Sequence, residues 1–211
     1  TLAFVCILSM NEVKCPRLAL GVAIASPFLA MCNLAGGLVI WPFLLLLSIW
    51  QKPSRTVAVS FAAAVAIGLY YVGYHSPSDL SNPLVSLQVP YALFRYVLTY
   101  FATSWWFLFP HLARAIAFIA IALFLFLSIE RTPAGKLQRL LIAEGLFTLA
   151  TAGITALGRV SLGIGQASSS RYQSPAMLFW ACFVSLLLLW LIKRNRVRWV
   201  LPLQGAIVAV I

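Results

Sequence analysis

The sequence predicts an all-α fold: a polytopic integral membrane helix bundle of about eight transmembrane segments, with the first and last truncated. An outer interfacial helix near 92–109 is expected beside them. Three observations lead there. Hydrophobic residues make up 63% of the 211-residue chain and charged residues only 9%, against roughly 45–50% and about 25% in soluble domains. Polar surface is then too scarce to cover a water-exposed particle. Apolar runs close to the roughly 20 residues of a spanning helix recur along the chain. Between them Lys and Arg return in short clusters, as the positive-inside bias requires of cytoplasmic loops.

Those clusters are NEVKCPR (11–17), QKPSRT (51–56), ERTPAGKLQR (130–139) and KRNRVR (193–198), and they hold eleven of the fifteen Lys and Arg residues. The net charge of +11 is therefore dispersed among loops and forms no basic patch, which argues against nucleic acid as a partner. Placing all four clusters on one side constrains the spans. The stretch 18–50 is too long for one helix, since 33 residues rise about 50 Å against a hydrocarbon core of about 30 Å. Two spans near 18–32 and 36–50 fit, turning at Asn33 and Gly36-Gly37, residues that favour turns. VAVSFAAAVAIGLYYVGY (57–74) and AIAFIAIALFLFLSI (115–129) are further spans.

Between these two lies YALFRYVLTYFATSWWFLFP, where Arg95, Thr99 and Thr103 form a polar stripe at helical spacing on an aromatic background. Such a helix suits the interface, with Trp105 and Trp106 at headgroup depth. Segment 75–114 then stays outside. A rival topology makes 18–50 one tilted helix and lets 92–109 cross, but it exposes Lys52 and Arg55 outside. Spans 140–157 and 175–192 follow in either case, and they put GRVSLGIGQASSSRYQS (158–174) on the outer side. The start at TLAFVCILSM, without Met, and the stop inside the apolar run GAIVAVI predict a single membrane domain over 1–211, a piece of a longer chain.

Residues able to carry chemistry are few. Glu12, Asp79, Glu130 and Glu144 are the carboxylates. Asp79 alone falls outside, in the turn-rich SPSDLSNP, which also suits a purely local backbone role. Glu144 is expected to pair with Arg139 or Lys136. His75 and His111 flank the outer segment without further ligands, and Cys6, Cys15, Cys32 and Cys182 lack paired spacing. No metal site, cofactor or disulfide framework is indicated, and the catalytic residue stays unknown.

The 158–174 connection is more informative, because Arg159 and Arg171 run against the positive-inside trend. A guanidinium near the headgroups grips phosphate through paired hydrogen bonds. Gly158, Gly163 and Gly165 allow close backbone approach. Ser168, Ser169 and Ser170 offer hydroxyls, with Gln166 and Tyr172 alongside. Two readings compete: anchoring to bulk lipid headgroups, or a cradle for a specific lipid phosphate or diphosphate. Asp79, His75 and Arg95 are candidate outer contacts.

Three segments carry a resemblance. They are Asn33-Leu34-Ala35-Gly36-Gly37-Leu38 with Trp41-Pro42, Tyr70-Tyr71 with Gly73-Tyr74, and the run Gly158-Arg159, Gly163, Gln166-Ala167, Ser170-Arg171-Tyr172. Their order and spacing resemble the C-terminal half of a family of uncharacterised bacterial multi-pass membrane proteins, whose plan is similar to the GT-C superfamily of membrane glycosyltransferases. The resemblance implies the bacterial inner (cytoplasmic) membrane and a polyprenyl-phosphate-linked sugar donor used in cell-envelope glycan assembly. It also implies donor-phosphate binding by Arg159, Arg171 and Tyr172. The GT-C catalytic acid usually lies in a first external loop with no counterpart here, and Asp79 does not match it. A transporter or lipid-handling permease, or a non-catalytic membrane subunit, is the alternative. Pro27 with Gly36-Gly37 is the only broken-helix feature that favours transport.

Overall fold

The computed structural model describes residues 16–33, 40–49, 53–72, 86–129 and 135–194, and all regular structure among them is helical. The helices are α1 (Pro16–Asn33), α2 (Ile40–Ile49), α3 (Pro53–Tyr71), α4 (Pro90–Ala102), α5 (Ala113–Ile129), α6 (Lys136–Arg159) and α7 (Gln173–Lys193). Proline opens α1, α3 and α4. Its fixed φ suits the first helical position, where its missing N–H would have no intrahelical partner.

The expected spans 57–74, 115–129, 140–157 and 175–192 fall on α3, α5, α6 and α7. The two-span reading of 18–50 falls on α1 and α2, although α2 has only 10 residues. The turn proposed at Gly36-Gly37, the apolar ends of the chain and the 75–85 connection lie outside the described residues. The helix expected over 92–109 is shorter. Regular α structure stops at Ala102, a 3-10 turn covers Thr103–Trp105, and turns continue to Leu112. Pro110 accounts for the break at Phe109, because the residue before a proline is driven out of the helical region.

Packing divides into two clusters. In the first, Ala19 and Ala23 of α1 meet Trp41 and Leu44 of α2 and Val59, Ala62, Ala63 and Ala66 of α3. In the second, α4, α5, α6 and α7 enclose Tyr96, Tyr100, Phe101, Phe124, Phe179 and Trp180. The two meet where Ala143 joins the first cluster and the Phe147 ring of α6 stands edge-on to Phe43 of α2, 6.5 Å between centroids. Aromatic rings hold α4 to α7. Phe101 lies 4.6 Å from Phe179, Trp105 lies 5.2 Å from Trp180, and the Trp180 indole donates to the Phe101 carbonyl at 3.0 Å.

On α3 and the first half of α5 the size order of side chains is inverted relative to a water-soluble core. On α5 the buried stripe begins Ala113, Ala117 and Ala120, while Phe118, Ile119, Phe126 and Ile129 are half or more exposed. On α3 three alanines and Val59 face inward, and Phe61 is 72% exposed. Two stretches, Lys136–Leu162 and Ser170–Lys193, are long and apolar enough to cross a membrane.

Candidate functional site

The predicted site lies between those two long helices. Three short 3-10 turns, Val160–Leu162, Ile164–Ser168 and Ser170–Tyr172, carry the chain from α6 to α7. Successive i to i+3 bonds close them. The Gly163 amide donates to Val160, Gln166 to Gly163, Ser169 to Gln166 and Tyr172 to Ser169, at 2.9–3.2 Å. Ala167 and Tyr172 are buried and fix this strip against the bundle. Of the three glycines expected to supply unusual dihedrals, only Gly163 does so, with φ 96° and ψ 154°. Gly158 continues α6 and Gly165 sits inside a 3-10 turn, so neither needs the left-handed region.

The strip brings some predicted residues together and separates others. Arg171 is exposed. Its Nε–H donates to the Ser169 hydroxyl oxygen at 3.2 Å, and its guanidinium stands 5.5 Å over the Tyr172 ring. Tyr172 itself belongs to the core, 5.1 Å from the Tyr100 ring, with a buried hydroxyl. The Tyr96 and Tyr172 hydroxyls lie close enough to interact without meeting hydrogen-bond geometry. Burial pushes the Tyr96 phenol well above its ordinary range and the neighbouring Tyr172 adds to this, while the Arg159 and Arg171 charges pull the other way. Both arginines are thus within electrostatic reach of Tyr96, and the phenol stays a neutral donor. Arg159, half-buried, closes α6, and Gln166 is half-buried. The Ser168 hydroxyl donates to the Gly165 carbonyl at 2.8 Å and is already committed. Asp79 and His75 lie outside the described residues.

Arg95 and Ser170 meet in a groove of about 530 Å³, walled by α4, the turn before α5 and the 3-10 strip. Arg95, Thr99 and Thr103 form one wall, Trp106, Phe107 and Arg114 a second, and Ile164, Gly165, Ser168, Ser170 and Gln173 the third. The polar stripe read from the sequence therefore faces this groove. Its hydroxyls are partly spoken for: Thr99 donates to the Arg95 carbonyl at 2.8 Å and Thr103 to the Thr99 carbonyl at 2.9 Å, a common use of threonine within helices. The guanidiniums of Arg95 and Arg114 remain the charged donors.

Sequence reasoning missed Arg114, yet a signal was present. Outside the four basic clusters the remaining Lys and Arg residues are Arg95, Arg114, Arg159 and Arg171, all arginine. Arg114 also stacks over the Trp106 ring at 5.8 Å, so its fork is held near the rim by a cation–π contact.

A second groove of about 720 Å³ runs between α4, α5 and α6. Leu93, Phe94, Val97 and Leu98 line it with Phe118, Ile121, Ala122 and Leu125 of α5 and Ile154 and Leu157 of α6. No charged side chain lines it. Among the described residues no group of three or more His, Cys, Asp or Glu side chains could hold a metal ion. The one described carboxylate, Glu144, is buried in the middle of α6 near Cys182. No known protein family, characterised protein or solved structure matches the chain.

Proposed function

We propose that the chain is the C-terminal membrane part of a GT-C-like glycosyltransferase, whose arginine-bearing end holds the phosphate of a polyprenyl-linked sugar during cell-envelope glycan assembly. Two supports carry the membrane half of this reading: the stretches Lys136–Leu162 and Ser170–Lys193 are long and apolar enough to cross a membrane, and side-chain size is inverted on two helices. On α3 and the first half of α5, large side chains such as Phe61, Phe118 and Ile119 are exposed and alanines line the buried face, the order that suits lipid outside and close helix approach inside. In water, burying Phe and Ile would contribute about 1.5–3 kcal/mol each, and this arrangement forgoes it. Under the same reading α1 to α3 and α5 to α7 cross the bilayer of a bacterial inner membrane. Helix α4, whose Arg95 and Thr99 face the polar groove, lies at the outer interface in this reading.

The single observation that carries the phosphate half is the gathering of arginines without a carboxylate among the described residues around them. Arg171 stands over the Tyr172 ring, and Arg159 and Arg171 are both within electrostatic reach of Tyr96. Guanidinium forks positioned near headgroup depth stabilise charge on a departing lipid phosphate. The base that activates an acceptor hydroxyl has no candidate among the described residues and is assigned to sequence beyond this chain.

Arg171 is exposed and its Nε–H bonds locally to the Ser169 hydroxyl, so Arg171→Ala is expected to preserve the fold. In nanodiscs, the full-length variant should bind polyprenyl phosphate about tenfold more weakly, the loss expected for one charged hydrogen-bonding partner. Unchanged affinity would return Arg171 to anchoring bulk headgroups.

A further inference from the structure

From the two grooves that share α4 and α5, we infer that the Arg95–Arg114 groove is a second anion site, separate from Arg159 and Arg171, and that it takes a phosphate-headed amphiphile whose chain lies in the apolar groove. The inference rests on the membrane reading above, but not on the role given there to Arg171. Its head site follows from the lining. Arg95 and Arg114 approach from two different segments, Ser170 and Gln173 add neutral polar groups, and no carboxylate contributes to the walls. Two positive charges and no negative one favour a ligand carrying a multiply charged head, and forked guanidiniums match phosphate oxygens.

The chain site follows from α5. Arg114 faces the polar groove, and Phe118, one turn further along, faces the apolar one, followed by Ile121 and Leu125. Arg114 and Leu125 are separated by about 17 Å along the helix axis, the reach of a dodecyl chain. On α4 the Phe94 ring meets Phe118 edge-on at 6.0 Å, and both rings line the apolar groove. The head and tail requirements of one amphiphile are thereby met on consecutive turns of one helix.

The test uses the full-length protein in phosphatidylcholine nanodiscs and dodecyl phosphate carrying a terminal diazirine, with the matching dodecanol and dodecyltrimethylammonium probes as controls. Photolabelling should fall on Ile121, Leu125 or Ile154 with the phosphate probe, and at least about fivefold less with either control. Arg95→Gln and Arg114→Gln should each cut it about tenfold, Arg114→Lys should restore part of it, and Arg171→Ala should leave it intact. Size-exclusion profiles identical to the parent confirm that the variants fold. Equal labelling by dodecanol makes the groove ordinary lipid contact and overturns the inference. Loss of labelling in Arg171→Ala to the same extent merges the two sites and also overturns it. Displacement by equimolar inorganic phosphate assigns the groove to the free anion and removes the amphiphile. Failure of Arg171→Ala to weaken polyprenyl phosphate binding would leave this inference standing.

Discussion

At the scale of single residues, Gly163 concentrates the most conformational demand. Its φ of 96° with ψ of 154° belongs to a region that only glycine occupies without strain, costing other residues about 1–3 kcal/mol. Nothing lies within 4 Å of a Cβ built there, so backbone strain alone decides the outcome. Gly163→Ala should lower stability by about 1–3 kcal/mol and loosen the strip that carries Ser170 and Arg171. Thermal unfolding in nanodiscs measures the first effect, and cysteine accessibility at the strip measures the second. A variant as stable as the parent would show that the strip accepts another path. The sequence alone did not distinguish Gly163 from Gly158 and Gly165. That choice depends on where α6 ends, and the helix runs one residue past Gly158 before the chain turns.

At the scale of elements, the contact between α5 and α6 makes a prediction of opposite sign to helix propensity. A Cβ at Gly145 would fall on the ring of Phe124, which is fully buried. Alanine at an exposed helical site gains about 1 kcal/mol over glycine. Here Gly145→Ala should instead destabilise by about 1–3 kcal/mol, the usual cost of overpacking. The double variant Gly145→Ala with Phe124→Leu should recover part of that loss, which denaturation of both single variants and the pair would detect. An increase in stability from Gly145→Ala alone would mean the ring moves freely.

Helix positions were largely legible because apolar runs and prolines bound them. Pro53 and Pro90 mark starts. What the sequence left hidden was partnership. Nothing in the pattern of 158–174 indicates that Tyr172 turns into the core against Tyr100 rather than toward a ligand. Nor does it pair Arg95 with Arg114, since that meeting depends on the turn through 103–112. Counting the arginines outside the basic clusters would have brought Arg114 forward, but only the fold places it across the groove from Arg95.

At the scale of the whole molecule, sidedness is the property on which the proposed function turns. Ser161, exposed on the strip, provides a probe. In a background without the chain's four native cysteines, Ser161→Cys should react with a membrane-impermeant maleimide added to intact cells. Reaction only after lysis would place the strip in the cytoplasm and reverse the assignment. Impermeant labelling of a control cysteine at Lys136, before lysis, would equally contradict a cytoplasmic position for the start of α6.

The alanine-lined interfaces have a consequence for biogenesis. Where α3 and α5 turn their bulk outward, water gives those helices little reason to come together, so in the membrane reading each enters the bilayer before it meets its neighbours. A 10-residue element such as α2 rises only about 15 Å and cannot hold a transbilayer position alone. Its insertion is then conditional on α1 and α3 arriving with it, and a nascent chain arrested before α3 emerges would be the species that quality-control proteases recognise.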